Sequence, residues 1–226
     1  TDLEQIERAM INRRVEICFH LAGLSNIREN SRNPLHAFDV NVRGTWTVLE
    51  ACRRVSSLLG VVCASSNHVY GFQDDLPAIE SAPLNQLDTY GAAKSCADLI
   101  GRAFAKDFDL PCVMVRNTNS YGPGDPHIDH IIAGSMASLL RNERPVIRSD
   151  GSPTKAYLYS QDTMEAYMLL AKNMSNIGVK GEAFNVTANK PVTVLNLVNM
   201  IVEVSGKPEL SPIVEFTDLS QQGTVE

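Results

Sequence analysis

A chain of 226 residues, 44% hydrophobic and 20% charged, can bury a core as one large domain or as one domain with a smaller lobe. Its formal net charge of −6 argues against a nucleic-acid partner, because phosphate contacts need clustered Lys and Arg. No apolar run approaches the ~20 residues that span a bilayer, so no membrane partner is expected, and Asp2, Glu4, Glu7 and Arg8 interrupt the pattern of a secretory leader.

In chain order, residues 2–13 predict a short amphipathic helix and residues 15–21 a buried strand ending at Ala22-Gly23. A long helix begins at Asn33-Pro34, where an early proline is tolerated, and runs to about residue 55. Residues 59–65 predict the next strand, Asp88 or Thr89 caps a helix reaching about residue 108, and residues 111–116 predict a third strand. Short continuous apolar runs alternating with helices imply an α/β fold, a doubly wound parallel sheet covered on both faces. After Gly122-Pro123-Gly124 the texture changes. A helix near 129–141, an apolar run at 145–147, a turn at Asp150-Gly151, a run at 157–159 and helices near 162–172 and 194–204 follow. The expected division is a domain of residues 1–125 and a smaller lobe of residues 126–226, interleaved with the end of the sheet.

The cysteines are Cys18, Cys52, Cys63, Cys96 and Cys112. Their odd count and lack of Cys-x-x-Cys spacing predict buried free thiols, a reducing cytoplasmic location and no metal site.

Parallel-sheet proteins place chemistry beyond the carboxyl ends of the strands. Three predicted strands end in small or polar clusters: His20-Leu21-Ala22-Gly23, Ala64-Ser65-Ser66-Asn67-His68 and Arg116-Asn117-Thr118-Asn119. Ordinary strand-to-helix turns also favour such residues, but three clusters around one helix favour a shared site. That helix opens with Tyr90-Gly91-Ala92-Ala93-Lys94. Positions four apart share a helix face, and an ammonium beside a phenol stabilises the phenolate. Tyr90 can then act as a general base toward a hydroxyl or an acid toward a carbonyl, with Ser66 as a second hydrogen-bond partner. Taken alone the spacing is weak, and a surface Tyr with a solvated Lys is its bland alternative. His20, within a strand, and His127, within a loop, read as structural.

These motifs, in their order, resemble the extended short-chain dehydrogenase/reductases, specifically the NAD-dependent epimerase/dehydratase family acting on nucleotide sugars. The matching segments are Phe19 to Gly23, Asn41-Val42-Arg43-Gly44-Thr45 with Leu49-Glu50-Ala51, Ser65 to Gly71, Tyr90 to Lys94, Arg116 to Asp125, and Pro145 to Gly151 followed by Tyr157-Leu158-Tyr159 and Asp162. The texture at Ser95-Cys96-Ala97-Asp98 is similar to the CDP-glucose 4,6-dehydratase-like branch.

The resemblance implies a Rossmann-like sheet and NAD as cofactor, contacted by Leu21, Ala22, Gly23, Asn41, Ser65, Tyr90, Lys94 and Asn117. It implies a nucleotide-diphosphate sugar as substrate, contacted by Ser25, Ser66, Asn119 and Lys155. The implied chemistry runs through a 4-keto sugar, with Ser66, Tyr90, Lys94, Asn67 and His68 at the catalytic centre. It also implies a homodimer through the helices near 34–55 and 89–108, whose apolar stripes could equally be core.

Three departures shape the expectation. The family's Gly-x-x-Gly-x-x-Gly turn is not found in these residues, which reads as a partial Rossmann-like domain lacking its first βαβ unit, with further sequence expected at the other end too. Asn67 stands where 4,6-dehydratases carry an acid, which favours an epimerase, with His68 as a possible replacement acid. Lys155-Ala156 stands where the family has Arg-Asp. A catalytically silent fragment, or a binding and assembly subunit, is the rival reading.

Overall fold

The computed structural model describes residues 2–73, 76–176 and 178–215. The chain opens with α1 (Leu3–Arg13), β1 (Ile17–His20), α2 (Ile27–Arg32) and α3 (Pro34–Phe38). A π-helical turn, Asp39–Arg43, leads into α4 (Gly44–Arg54), then β2 (Gly60–Ala64) and a 3-10 turn, Asn67–Tyr70. Next come α5 (Thr89–Asp107), β3 (Cys112–Asn117), β4 (Asn119–Tyr121), α6 (Ile131–Leu140), β5 (Val146–Ile147) and β6 (Thr154–Lys155). β7 (Tyr157–Tyr159), α7 (Ser160–Lys172), β8 (Ala183–Val186), β9 (Val192–Thr193), α8 (Val194–Val204) and β10 (Ile213–Val214) complete the described chain.

Two compact units result. The first joins residues 1–117 to residues 163–186, and the second joins residues 118–162 to residues 187–226. In the first, four parallel strands run in the order β1-β2-β3-β8. Successive side chains of a strand face opposite ways, so the two faces hold separate cores. Cys63, Cys112 and Met114 pack with Leu49 and Cys52 of α4 and Ala105 of α5. Val62, Val113 and Val115 pack with Tyr167 and Leu170 of α7. Each fully buried valine contributes about 1.5–3 kcal/mol, and the sheet is therefore Rossmann-like, with helices on both faces.

Side chains fix the helix starts. The Asp2 side chain accepts from Gln5 N and the Asp88 side chain from Gly91 N, each meeting one of the unpaired donors of a first turn. In the second unit, α6 and α8 bury Leu139, Val194, Val198 and Val202 around Ile147 of β5. Lys207 Nζ donates to Leu139 O and to Asn142 Oδ1, both at 2.6 Å, a cation against a helix C-terminus.

Three expectations change. The long helix from residue 33 is present, but a π turn at Asp39–Arg43 divides it. The strand predicted over 15–21 is shorter and not fully buried: Phe19 is 38% exposed, because β1 pairs with β2 alone among the described strands. All five cysteines are free, yet Cys96 is exposed and Cys18 half-buried, since Cys96 lies on the outer side of α5. The strands β4, β6, β8, β9 and β10, and the helix α2, have no counterpart among the predicted elements.

Candidate active site

Parallel pairing brings the carboxyl ends of β1, β2, β3 and β8 to one edge of the sheet. His20 lies opposite Cys63, Ala64 opposite Val115, and Asn117 opposite Val186. The segments after His20 and after Ala64, and Asn117 at the end of β3, therefore share that edge.

Asn41, on the π turn, is almost fully buried and governs the loop after β1. It accepts from Leu24 N at 2.8 Å, and its Nδ2 donates to Leu24 O at 3.1 Å and to Asn30 Oδ1 at 3.2 Å. Asn30 Nδ2 donates in turn to Leu24 O and Asn26 O. Two buried amides thus replace the missing ladder of an irregular loop. A Cβ at Gly23 would stand 2.9 Å from Asn41 Oδ1 and 3.5 Å from Lys94 Nζ. The loop can pass over Asn41 only as glycine at that position. Leu21, Ala22, Gly23 and Ser25 are exposed beyond the strand, so their backbone is open to a ligand with an ammonium close by. This arrangement fits a dinucleotide passing over the strand end.

Lys94 is buried, and its Nζ donates to Ala64 O at 2.9 Å. Burial lowers its pKa from the usual lysine value. Tyr90 is 9% exposed one helical turn away, and its ring lies 5.6 Å from the ring of His68. Ser66 caps the 3-10 turn: its Oγ accepts from His68 N at 3.1 Å, which leaves the hydroxyl hydrogen for a partner of its own choosing. Ser66, His68, Tyr90 and Lys94 therefore converge within the first unit, and Asn67 starts the same turn at intermediate exposure. Asn117 accepts from Tyr167 Oη at 3.1 Å.

His20 lies beneath this site. Its Nε2 is 3.1 Å from Thr45 Oγ1, whose own proton goes to Asn41 O at 2.6 Å, so Nε2 carries the hydrogen. Burial, and then the charge of Lys94, pull its pKa from 6.5 to about 4. The unfolded chain therefore binds a proton between those pH values that the folded chain refuses. Stability contributed by neutral His20 is complete above pH 6.5 and is lost as pH falls toward 4; the loss amounts to about 3 kcal/mol. Urea unfolding across this range should show a steeper fall for the native chain than for His20→Gln, which keeps a donor toward Thr45. Equal slopes would contradict the assignment.

Ser65 takes a different part. Its Oγ donates to Asp98 Oδ2 at 2.7 Å, and Asp98 and Arg116 form a bidentate pair at 2.8 and 2.9 Å. Arg116 Nη1 also reaches Tyr70 Oη and Glu80 O, both at 2.9 Å. Tyr70 Oη donates to Asn185 Oδ1, and Asn185 donates to Glu80 Oε1 and Ala78 O. Sequence reasoning missed Asp98, Asn185 and Gln86. Asp98 is fully buried, and Asn185 and Gln86 are half-buried; their partners lie on other elements, so no local pattern marks them.

In the second unit, Asn119 is exposed on β4, opposite Tyr157 of β7. Lys155 lies on β6 opposite Val192 of β9. A cleft of about 420 Å³ lies against α6, lined by Tyr121, Gly122, Asp125, Met136 and Tyr159 among others. The Tyr121 and Tyr159 rings are 5.6 Å apart. Among the described residues, no three His, Cys, Asp or Glu are placed to hold a metal, and no helix is long and apolar enough to cross a membrane.

The chain is similar to proteins of known kind. It is 29% identical over 189 residues to a putative UDP-glucose 4-epimerase of Methanocaldococcus jannaschii, covering 83% of this chain and 60% of that protein. It is 26% identical over 211 residues to the dTDP-D-glucose 4,6-dehydratase of Bos taurus, covering 91% of this chain and 57% of that protein. The chain thus spans about three fifths of the length of these curated relatives. The solved UDP-glucose 4-epimerase of Thermotoga maritima, a complex with UDP-glucose, superposes with a TM-score of 0.89 at 26% identity over 99% of this chain and 72% of that one. The model of the NAD dependent epimerase/dehydratase family matches residues 1–187, and with that match the chain belongs to this family.

Proposed function

We propose that this chain carries the catalytic centre of an NAD-dependent nucleotide-sugar epimerase or 4,6-dehydratase that works through a 4-keto sugar. The observation that carries the reading is that Lys94 reaches the end of β2 while Tyr90, on the same helix, packs against His68, whose N–H is held by Ser66, beside a strand-end loop that glycine keeps open. NAD, when bound, supplies the acceptor and donor of a hydride. Leu21, Ala22 and Gly23 would lie along it, Ser65, Asn41 and Asn117 would shape its bed, and Lys94 would hold a ribose hydroxyl. The Lys94 charge favours the phenolate of Tyr90, which takes the proton from the sugar's C4 hydroxyl. Ser66 donates its remaining hydrogen to the same oxygen. Ser25, Asn119 and Lys155 are the proposed substrate contacts, Lys155 acting on a diphosphate as a point charge. Asn67 has no ionisable proton to give a departing hydroxyl, which supports the epimerase outcome.

Two further parts of the reading rest on single observations. Leu35, Trp46 and Leu99 are 82%, 45% and 55% exposed on α3, α4 and α5, which supports a homodimer through these helices. The odd number of cysteines, with no Cys-x-x-Cys spacing, supports a reducing, cytoplasmic location.

Calorimetry of the full-length protein tests the cofactor, with Lys94→Ala expected to weaken NAD binding by about 10–100-fold. Addition of UDP-glucose or dTDP-glucose should then raise the near-ultraviolet absorbance of reduced nicotinamide. No NAD binding by the native protein would overturn this reading and leave the binding or assembly subunit.

A further inference from the structure

Ser66 and Tyr90 come from different elements, the end of β2 and the first turn of α5. Two groups that serve one oxygen must be held within about 0.5 Å of a working geometry. The 3-10 turn Asn67–Tyr70 is the ground they share. Ser66 is its cap, and Ser66 Oγ accepts from His68 N at 3.1 Å. On the other side Val69 O accepts from Gln86 N at 3.3 Å, and Gln86 lies against the start of α5. A Cβ on Gly91 would fall 2.0 Å from Gln86 Cγ and 2.6 Å from Gln86 Cβ, so α5 meets Gln86 with no side chain between them.

Tyr70 closes that turn and is buried. Its hydroxyl is used in both directions. It accepts from Arg116 Nη1 at 2.9 Å and donates to Asn185 Oδ1 at 2.7 Å. Burial pushes the phenol's pKa up from its usual value, so the donated proton stays in place. Asn185 carries the chain onward: its Nδ2 donates to Ala78 O at 2.8 Å and its backbone N–H to Glu80 Oε1 at 3.0 Å. Arg116 Nη1 holds the same segment, donating to Glu80 O at 2.9 Å. The other end of the chain is Asp98, which pairs with Arg116 and also accepts from Ser65 Oγ at 2.7 Å. Ser66 is therefore bracketed. The residue before it and the turn after it are tied to one buried carboxylate–guanidinium pair, and a fully satisfied buried network of this kind rigidifies what it touches. A tyrosine that only filled space would need none of these bonds.

We propose that Tyr70 is a positioning residue of this centre, and that with Asn185 it locks the turn that sets Ser66 against Tyr90. The proposal rests on the reading that Ser66 and Tyr90 serve one oxygen of a sugar. Without the Tyr70 hydroxyl the turn is free to tilt about its Ser66 end, and Gln86 and the start of α5 move with it. The serine hydroxyl and the Tyr90 phenol then no longer meet at the same oxygen. Lys94 Nζ keeps its bond to Ala64 O, and the loop over Gly23 keeps its latch on Asn41. The loss therefore falls on the chemical step and spares dinucleotide binding.

The test uses the full-length protein with NAD and either dTDP-glucose or UDP-glucose. Stopped-flow absorbance of reduced nicotinamide gives the rate, calorimetry the NAD affinity, and a melting curve shows that each variant is folded. Tyr70→Phe keeps the ring, whose centroid lies 5.1 Å from Arg116 Cζ, and removes only the hydroxyl. It should slow nicotinamide reduction by ~10–100-fold, with sugar KM and NAD affinity within about twofold of native. In a Ser66→Ala background the same change should cost less than about threefold, because the hydroxyl it places is no longer there. Asn185→Leu cuts the chain one link further on, leaves Tyr70 bonded to Arg116, and should give the same pattern; it replaces Tyr70→Phe in the comparison if that variant does not fold. A rate within about threefold of native in the folded variant overturns the proposal. Equal slowing with and without the Ser66 hydroxyl overturns it as well, since that marks a purely structural role. In both cases the nicotinamide signal of the native protein leaves the C4 reading intact. No such signal from either sugar removes that reading, and the positioning role falls with it.

Discussion

Asp98→Ala is expected to destabilise the first unit by about 3–5 kcal/mol, because it strands a guanidinium in the protein interior. Asp98 and Arg116 have side-chain exposures of 0% and 1%, so water cannot replace the lost carboxylate. The loss spreads beyond the pair, since Ser65 Oγ gives up its acceptor and Arg116 is the link to Tyr70 and Glu80. A double change, Asp98→Leu with Arg116→Met, removes both charges and leaves apolar groups of similar volume. It should cost less than Asp98→Ala alone, with the remaining cost due to the unmet Tyr70, Ser65 and Glu80 groups at about 1 kcal/mol each. Denaturant unfolding of the full-length protein measures all three. A single-variant loss below about 1 kcal/mol would mean that the pair is worth no more than a surface one.

Tyr90→Phe is the second large effect. The ring packed beside His68 is kept and only the hydroxyl is removed, so unfolding should be little changed. On the proposed reading, the rate of C4 oxidation falls by ~10²–10⁴-fold, the contribution of a positioned general base, while NAD affinity, which depends on Lys94 and the strand-end loop, stays near that of the native protein. Stopped-flow absorbance of reduced nicotinamide, run beside calorimetry, separates the two quantities. A rate within about threefold of native would remove Tyr90 from the proposed role. Equal losses of rate and NAD affinity would instead point to a disturbed site.

The parallel sheet was legible because β1, β2 and β3 are uninterrupted apolar runs between helices with clear caps, such as Asp88 before α5. Tyr90 and Lys94 were legible because their helical spacing, weak by itself, falls between strand ends rich in small polar residues. β8 was not, since Asn185 breaks a four-residue run and its place in the sheet depends on strands far away in sequence. The two- and three-residue strands β4, β6, β9 and β10 carry too few residues for any period to register. Arg116 entered the sequence reading only at a strand end and as the start of the family-matching segment Arg116 to Asp125. Its burial depends on Asp98, which is 18 residues away and on another element. Long-range pairing of this kind leaves no local pattern, and the same holds for Gln86 and the room Gly91 gives it.

The π turn at Asp39–Arg43 holds a consequence for insertions and deletions. Each residue of an α-helix turns the chain by about 100°. A π turn accommodates one residue more than the regular helix would. Shortening this stretch by one residue is expected to restore an unbroken helix and to gain local helicity. Yet Asn41 would be swung about a quarter-turn away from Leu24 and Asn30, and the loop that crosses Gly23 would lose its latch. A length change that looks neutral by helix propensity is thus expected to release the edge of the site, while the α4 packing against Cys52 and Leu49 survives.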